Sequence, residues 1–198
     1  MFGIYEAGKG VIAKFTAPMS VKSNQPIFAS DTLSLKRQTV KRPAQRWEIS
    51  SNLEPLSFNA QDLFVSLVSK GESEEVLVLM PQNFGAMKRS ILNSGTPVAT
   101  GNKHSSNVNV SGFTGLISKG SFIKFANHNK IYIATADRSG AGTLHIYPHL
   151  QADTTNAIVY FRNDIIASFL YDLDTVKGMA YSDGILMDMG EVKLLEKL

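Results

Sequence analysis

The chain of 198 residues contains no cysteine. That absence excludes disulfides, thiolate zinc sites, iron–sulfur clusters and cysteine nucleophiles together. Long apolar runs are missing too. No stretch reaches the roughly 18 residues of a membrane-spanning helix, so no membrane insertion is expected. The first residues, MFGIYEAGKGVIAKF, lack a basic stretch followed by an apolar one, so no secretory signal is expected. Charge is sparse, 19% against a norm of about 25%, and Trp47 is the single tryptophan. What is present is apolar. At 43% hydrophobic residues the chain is too apolar for disorder, and at this length it should bury roughly 70% of its unfolded surface.

The net charge of +3 is unevenly spread. Residues 1–83 carry nine basic and eight acidic groups, close to balance. Residues 84–150 carry seven basic groups against Asp137 alone, and hold all four histidines. Residues 151–198 carry four basic and eight acidic groups. Shifts of this size place a module boundary at each end of the middle segment.

Periodicity predicts a mainly β protein with one helix. Strands are expected at Val11–Phe15, Pro26–Ala29 and in the alternating run from Leu33 to Val40. In Gln45–Ile49, Trp47 and Ile49 share one face while Arg46 and Glu48 share the other, as in a half-buried strand. A helix over about 59–70, capped by Asn59 or Ser57 and stopped by Gly71, would bury Ala60, Leu63, Phe64, Leu67 and Val68. EVLVLM then forms a strand ended by Pro81. Residues 93–112, rich in Gly, Ser, Asn and Thr, read as loop with short strands such as Asn107–Ser111. Ser121–Phe125, Lys130–Ala136 and Thr143–Tyr147 read as strands joined by hairpin turns. Further strands are expected at 157–161, 165–171, 177–181 and 191–195.

Few motifs carry chemistry. His104, His128, His145 and His149 are the only imidazoles, and their segment offers a metal only Asp137 as carboxylate, so no metal site is expected. Asp172 and Asp174 fall on one strand face. Such a pair serves glycoside hydrolysis or merely solvates the strand. No G-x-S-x-G elbow or phosphate loop occurs. In the middle segment Lys119, Lys124, Lys130 and Arg138 interleave with Phe113, Phe122, Phe125, Tyr132 and Tyr147. Basic residues among aromatic platforms bind single strands in OB-folds, but the same aromatics serve as the core of a small barrel. Trp47 reads as core, packed against the helix that carries Leu63 and Phe64.

The order of QRWEI (Gln45 to Ile49), Pro55-Leu56, the helix, EVLVLMP and PQNF (Pro81 to Phe84) resembles bacteriophage distal tail proteins. Ser118–Leu150 is similar to the OB-type domain inserted in some of them. Residues 1–40 match no part of that pattern. The resemblance implies a discontinuous β ring domain, 1–83 and 151–198, with Trp47, Ile49, Leu63, Phe64 and Leu67 in its core, interrupted by an inserted OB-like barrel at 84–150 that folds on its own. It also implies a non-enzymatic virion protein without cofactor, assembled in the host cytoplasm as a hexameric ring at the tail tip. Its partners would be further copies of itself, the tail tube protein, and baseplate hub or tail-fibre proteins. Lys119, Lys124, His128, Lys130 and Arg138 would form a docking surface. Asp153, Asp164, Asp172, Asp174, Asp183 and Asp188 would approach the channel, where an acidic wall lets genome DNA slide in transit. The alternatives are an OB-fold nucleic-acid-binding protein and a carbohydrate-directed tail enzyme using Asp172 and Asp174.

Overall fold

The computed structural model describes residues 2–31, 37–41, 44–56, 60–70, 73–82, 89–162, 164–172, 180–182, 185–188 and 190–198. Strands β1 (Gly3–Glu6), β2 (Gly10–Asn24), β3 (Ile27–Asp31), β4 (Arg37–Lys41) and β5 (Arg46–Pro55) precede helix α1 (Ala60–Lys70) and β6 (Val76–Leu79). The middle of the chain forms β7 (Ile91–Gly101), β8 (Asn107–Ile117), β9 (Phe122–Phe125), β10 (Ile131–Ala134), β11 (Arg138–Ser139), β12 (Gly142–Tyr147) and β13 (Thr154–Tyr160). The last four strands are β14 (Ile166–Tyr171), β15 (Ala180–Ser182), β16 (Ile185–Asp188) and β17 (Glu191–Glu196). The protein is mainly β with one short helix.

Two closed sheets hold all of these strands but β3, β4, β15 and β16. The first barrel runs β1-β2-β5-β17-β14-β6 and draws on both ends of the chain. The second runs β8-β12-β10-β9-β13-β7, closed by β7 pairing back on β8, with β11 added at β8. In its order β12-β10-β9-β13 the last strand returns beside the first of a three-strand meander, which is a Greek key. It counts six strands in its ring, one more than the five of an OB-fold.

The point where the chain returns to the first barrel differs from the expected boundary at 150/151. β13 pairs with β7 and β9, so residues 154–160 complete the second barrel. The charge change at 150 misled here, because β13 carries no charged residue and is placed by its backbone pairing alone. Asp153, at the start of β13, therefore belongs with the second barrel.

The strand register orients everything else. β2 and β5 pair from Ala13 opposite Pro55 to Asn24 opposite Arg46, which defines two ends of the first barrel. Leu63 and Leu67 of α1 join the apolar cluster of this barrel and line a cleft with Ile4 and Ile12, whose carbonyl accepts the Leu56 N–H just beyond Pro55, so the helix lies at that end. Val68, expected on the buried face, is exposed. The side chain of Phe64 and the capping positions Ser57 and Asn59 lie outside the described residues. The second barrel covers the end near Arg46, through Phe122 and Ile131, which join that same cluster. Its own core is a separate set that includes Val110, Ile123, Phe125, Tyr132 and Leu144.

Candidate functional site: barrel junction and free hairpins

The junction is built on two strand phases. In β17, Val192, Leu194 and Glu196 alternate inward, so a carboxylate falls on the buried face. In β5 the inward phase brings Trp47 to the same place. Glu196 meets Lys130 in an ion pair buried at both partners. Its carboxylate oxygens also accept the Trp47 N–H at 3.0 Å and the Ile131 N–H at 2.7 Å. The Lys130 ammonium donates a further hydrogen bond to the Gln45 carbonyl at 2.7 Å. Burial pushes the Glu196 carboxyl up and the Lys130 amine down, each against the pull of its partner.

Around this pair the two barrels share polar clamps. The Gln82 amide donates to the Phe122 and Arg162 carbonyls, both at 3.0 Å, and accepts the Phe122 N–H at 2.9 Å. The Asn129 amide donates to the Ser168 and Lys197 carbonyls and accepts the Ser168 N–H. Trp47 stacks edge-on against Phe122 and Tyr147, with centroids 5.6 and 6.3 Å away, and its indole N–H donates to the Ile131 carbonyl at 2.9 Å. The tryptophan is core, as the sequence predicts, but its ring partners come from the second barrel. A cleft of about 230 Å³ beside the junction is lined by Gln45, His104, Lys130 and His149 among others.

The five expected docking residues do not form one surface. Lys130 is buried in the ion pair, which removes it from any docking face. Lys124 donates to the Ile166 carbonyl at 2.6 Å, and burial lowers its amine. His128 hydrogen-bonds the Tyr132 hydroxyl at 2.7 Å and the Asn127 side chain at 2.8 Å. Its pKa is lowered to about 4 by burial, then by Lys124 and Lys130. The β9–β10 turn thus docks on the first barrel of its own chain. Lys119 is exposed, and its backbone N–H holds the Asp137 carboxylate, which also pairs with Arg89. Arg138 is half-buried and donates to the Gly140 carbonyl at 3.3 Å.

The acids divide as well. Asp153 accepts the Lys103 N–H at 2.7 Å, and Asp164 accepts the Arg162 N–H at 3.1 Å, so both organise turns. Asp172 is buried and pairs with Lys193 at 2.9 Å. Asp174 and Asp183 lie outside the described residues, and Asp188 sits in β16 with its side chain outside them. Glu48, expected on a solvent face, is buried and accepts from the Asn24 amide at 2.6 Å.

Of the aromatics proposed as stacking platforms, Phe113, Phe122, Phe125 and Tyr132 are buried, and Tyr147 is half-buried against Trp47. Among the described residues, no three His, Asp or Glu side chains converge as metal ligands. Among the described residues, β3–β4 and β15–β16 pair only within themselves, as two hairpins outside both barrels. Neither a scan against protein-family models nor a search of curated proteins finds a match for this chain.

Proposed function

We propose that the chain is a structural virion subunit of a tailed bacteriophage, distal-tail-like, forming a hexameric ring that joins the tail tube to the baseplate or tail fibres. The observation that carries this reading is the junction. A barrel made from both chain ends grips an inserted barrel through a buried ion pair, paired amides and a shared apolar cluster. Such a fused body keeps its shape under load, as a hub that connects a tube to appendages must. The order of QRWEI, EVLVLMP and PQNF gives the family resemblance, and two hairpins outside the barrels supply surface for neighbouring copies. The work is geometric, with no catalytic residue or cofactor assigned.

Electron microscopy of the concentrated protein tests the proposal. Closed rings with sixfold or threefold symmetry are the expected result. A protein that stays monomeric at every concentration and on added tail tube overturns it.

A further inference from the structure

The outer side of the second barrel carries a face without formal charge. Strands β13, β7, β8 and β12 lie side by side in its ring and contain no Lys, Arg, Asp or Glu, in a chain of which 19% is charged. Charged groups stand in the connections instead: Asp153 holds the Lys103 N–H, and Asp137 holds the Lys119 N–H. A solvated sheet face ordinarily carries charge, and depletion of charge is the compositional mark of an interface.

The strand register builds this face from small polar groups. Thr100 and Thr143 lie opposite Asn109 on its two neighbouring strands, and all three are exposed. The Thr143 hydroxyl donates to the Asn109 carboxamide oxygen at 3.2 Å, which leaves the Asn109 amide N–H groups to donate to an incoming acceptor. The Thr100 hydroxyl accepts the Asn156 N–H at 3.2 Å, and the Ser94 and Thr114 hydroxyls share a hydrogen bond of 2.8 Å. These contacts fix the polar side chains on a strand framework before any ligand arrives. Ile158, on the same strand as Asn156, adds an exposed apolar side chain.

We propose that this face of the second barrel binds a neutral glycan. Sugar hydroxyls both donate and accept, as the Thr and Asn side chains do, and Ile158 suits the C–H side of a sugar ring. With no Lys or Arg on the strands, nothing there attracts phosphate, which disfavours nucleic acid. None of the exposed side chains on these strands is Trp, Tyr or Arg, the usual anchors of a protein partner. The face is separate from the barrel junction and from both hairpins, and the proposal is independent of the ring reading.

An array of neutral and acidic oligosaccharides, probed with the full chain, tests the proposal, followed by calorimetry with the neutral glycan that binds best. Millimolar or tighter binding is expected, with an affinity that changes little between low salt and about 1 M salt, because neither side is charged. Asn109→Ala and Thr100→Ala should each weaken it about tenfold, since a sugar hydroxyl then loses its partner. Lys119→Ala, off the face, should bind like the wild type. All three side chains are exposed, and circular dichroism checks that the variants fold. A chain that binds no neutral glycan overturns the proposal, and so does binding that both face variants retain. Binding confined to acidic glycans or oligonucleotides, and lost at high salt, assigns the barrel to a charged ligand instead. Self-association that Thr114→Arg abolishes, without glycan binding, assigns the face to a second copy.

Discussion

Lys130 and Glu196 come from different barrels and form a buried ion pair where the two barrels meet. Removing one member of such a pair strands the other charge in a low-dielectric site, which costs about 3–5 kcal/mol. Glu196→Gln removes the charge that neutralises the ammonium and turns one acceptor oxygen into an NH2 donor among groups that are all donors, Lys130 and the Trp47 and Ile131 N–H groups. Lys130→Met leaves a carboxylate that still accepts two backbone N–H groups. Both should lower the urea midpoint, Glu196→Gln by more. An unchanged midpoint for Glu196→Gln would show that the pair does not hold the junction.

Trp47 should separate packing from hydrogen bonding. Trp47→Ala removes the ring that touches Phe122 and Tyr147 and should cost about 3–5 kcal/mol. Trp47→Phe keeps an aromatic there but leaves the Ile131 carbonyl without its indole donor, a loss of about 1–3 kcal/mol. Denaturant unfolding followed by circular dichroism gives both values. A Trp47→Phe variant as unstable as Trp47→Ala would show that a smaller ring recovers none of the packing, against a separable contribution.

His128 should be neutral at pH 5. Its pKa, lowered to about 4 from the usual 6.5, means that the unfolded chain binds a proton more readily than the folded one between those values. Stability therefore rises with pH across that window and is lost as the pH falls from 6.5 toward 4. His128→Gln should flatten that part of the stability profile relative to the wild type. Chemical-shift titration of the ring is the direct check, and protonation with a midpoint near 6.5 would contradict the burial argument.

The barrel strands were legible where alternation was strong. Trp47 and Ile49 on one phase, and Leu63 and Leu67 at helical spacing, all reach the core. Residues 93–112 were not legible, because glycine and small polar residues signal loop and bulge alike. In the structure all but the connection at 102–106 belong to two long strands, β7 and β8, whose register shifts between Gly95 and Val98. Gly95 has a φ of +84°, and a Cβ there would sit 2.2 Å from the Gly112 carbonyl oxygen, so glycine serves the bend rather than a loop. The junction was half legible. Glu196 continues the inward phase of Val192 and Leu194, an anomaly that asks for a buried cation. Nothing in the sequence says that the cation is Lys130, because that pairing depends on how two barrels stack. Lys130 instead reads as part of a basic face.

Replacing residues 88–150 by a short Gly/Ser linker follows the charge boundaries, and the sequence reading expects a folded β domain to remain. The structure predicts the opposite. That cut removes β7 and β9, the two neighbours of β13, and exposes Ala157, Val159 and Phe161 from the second core. It also strips Glu196 of Lys130 and Trp47 of Phe122. Exit and return of the chain lie side by side, since the Met80 N–H donates to the Ile165 carbonyl at 2.9 Å. A linker replacing 83–163 therefore removes the second barrel whole and leaves the six-strand ring of the first intact. Thermal melting of the two variants should differ in kind. The 88–150 replacement should show no cooperative transition. The 83–163 replacement should melt cooperatively, at a lower midpoint than the full chain, because the junction face loses its cover. Cooperative melting of the 88–150 replacement near the full-length midpoint would mean that β13 and the junction contribute little, and that the charge boundary, not the strand pairing, divides the protein.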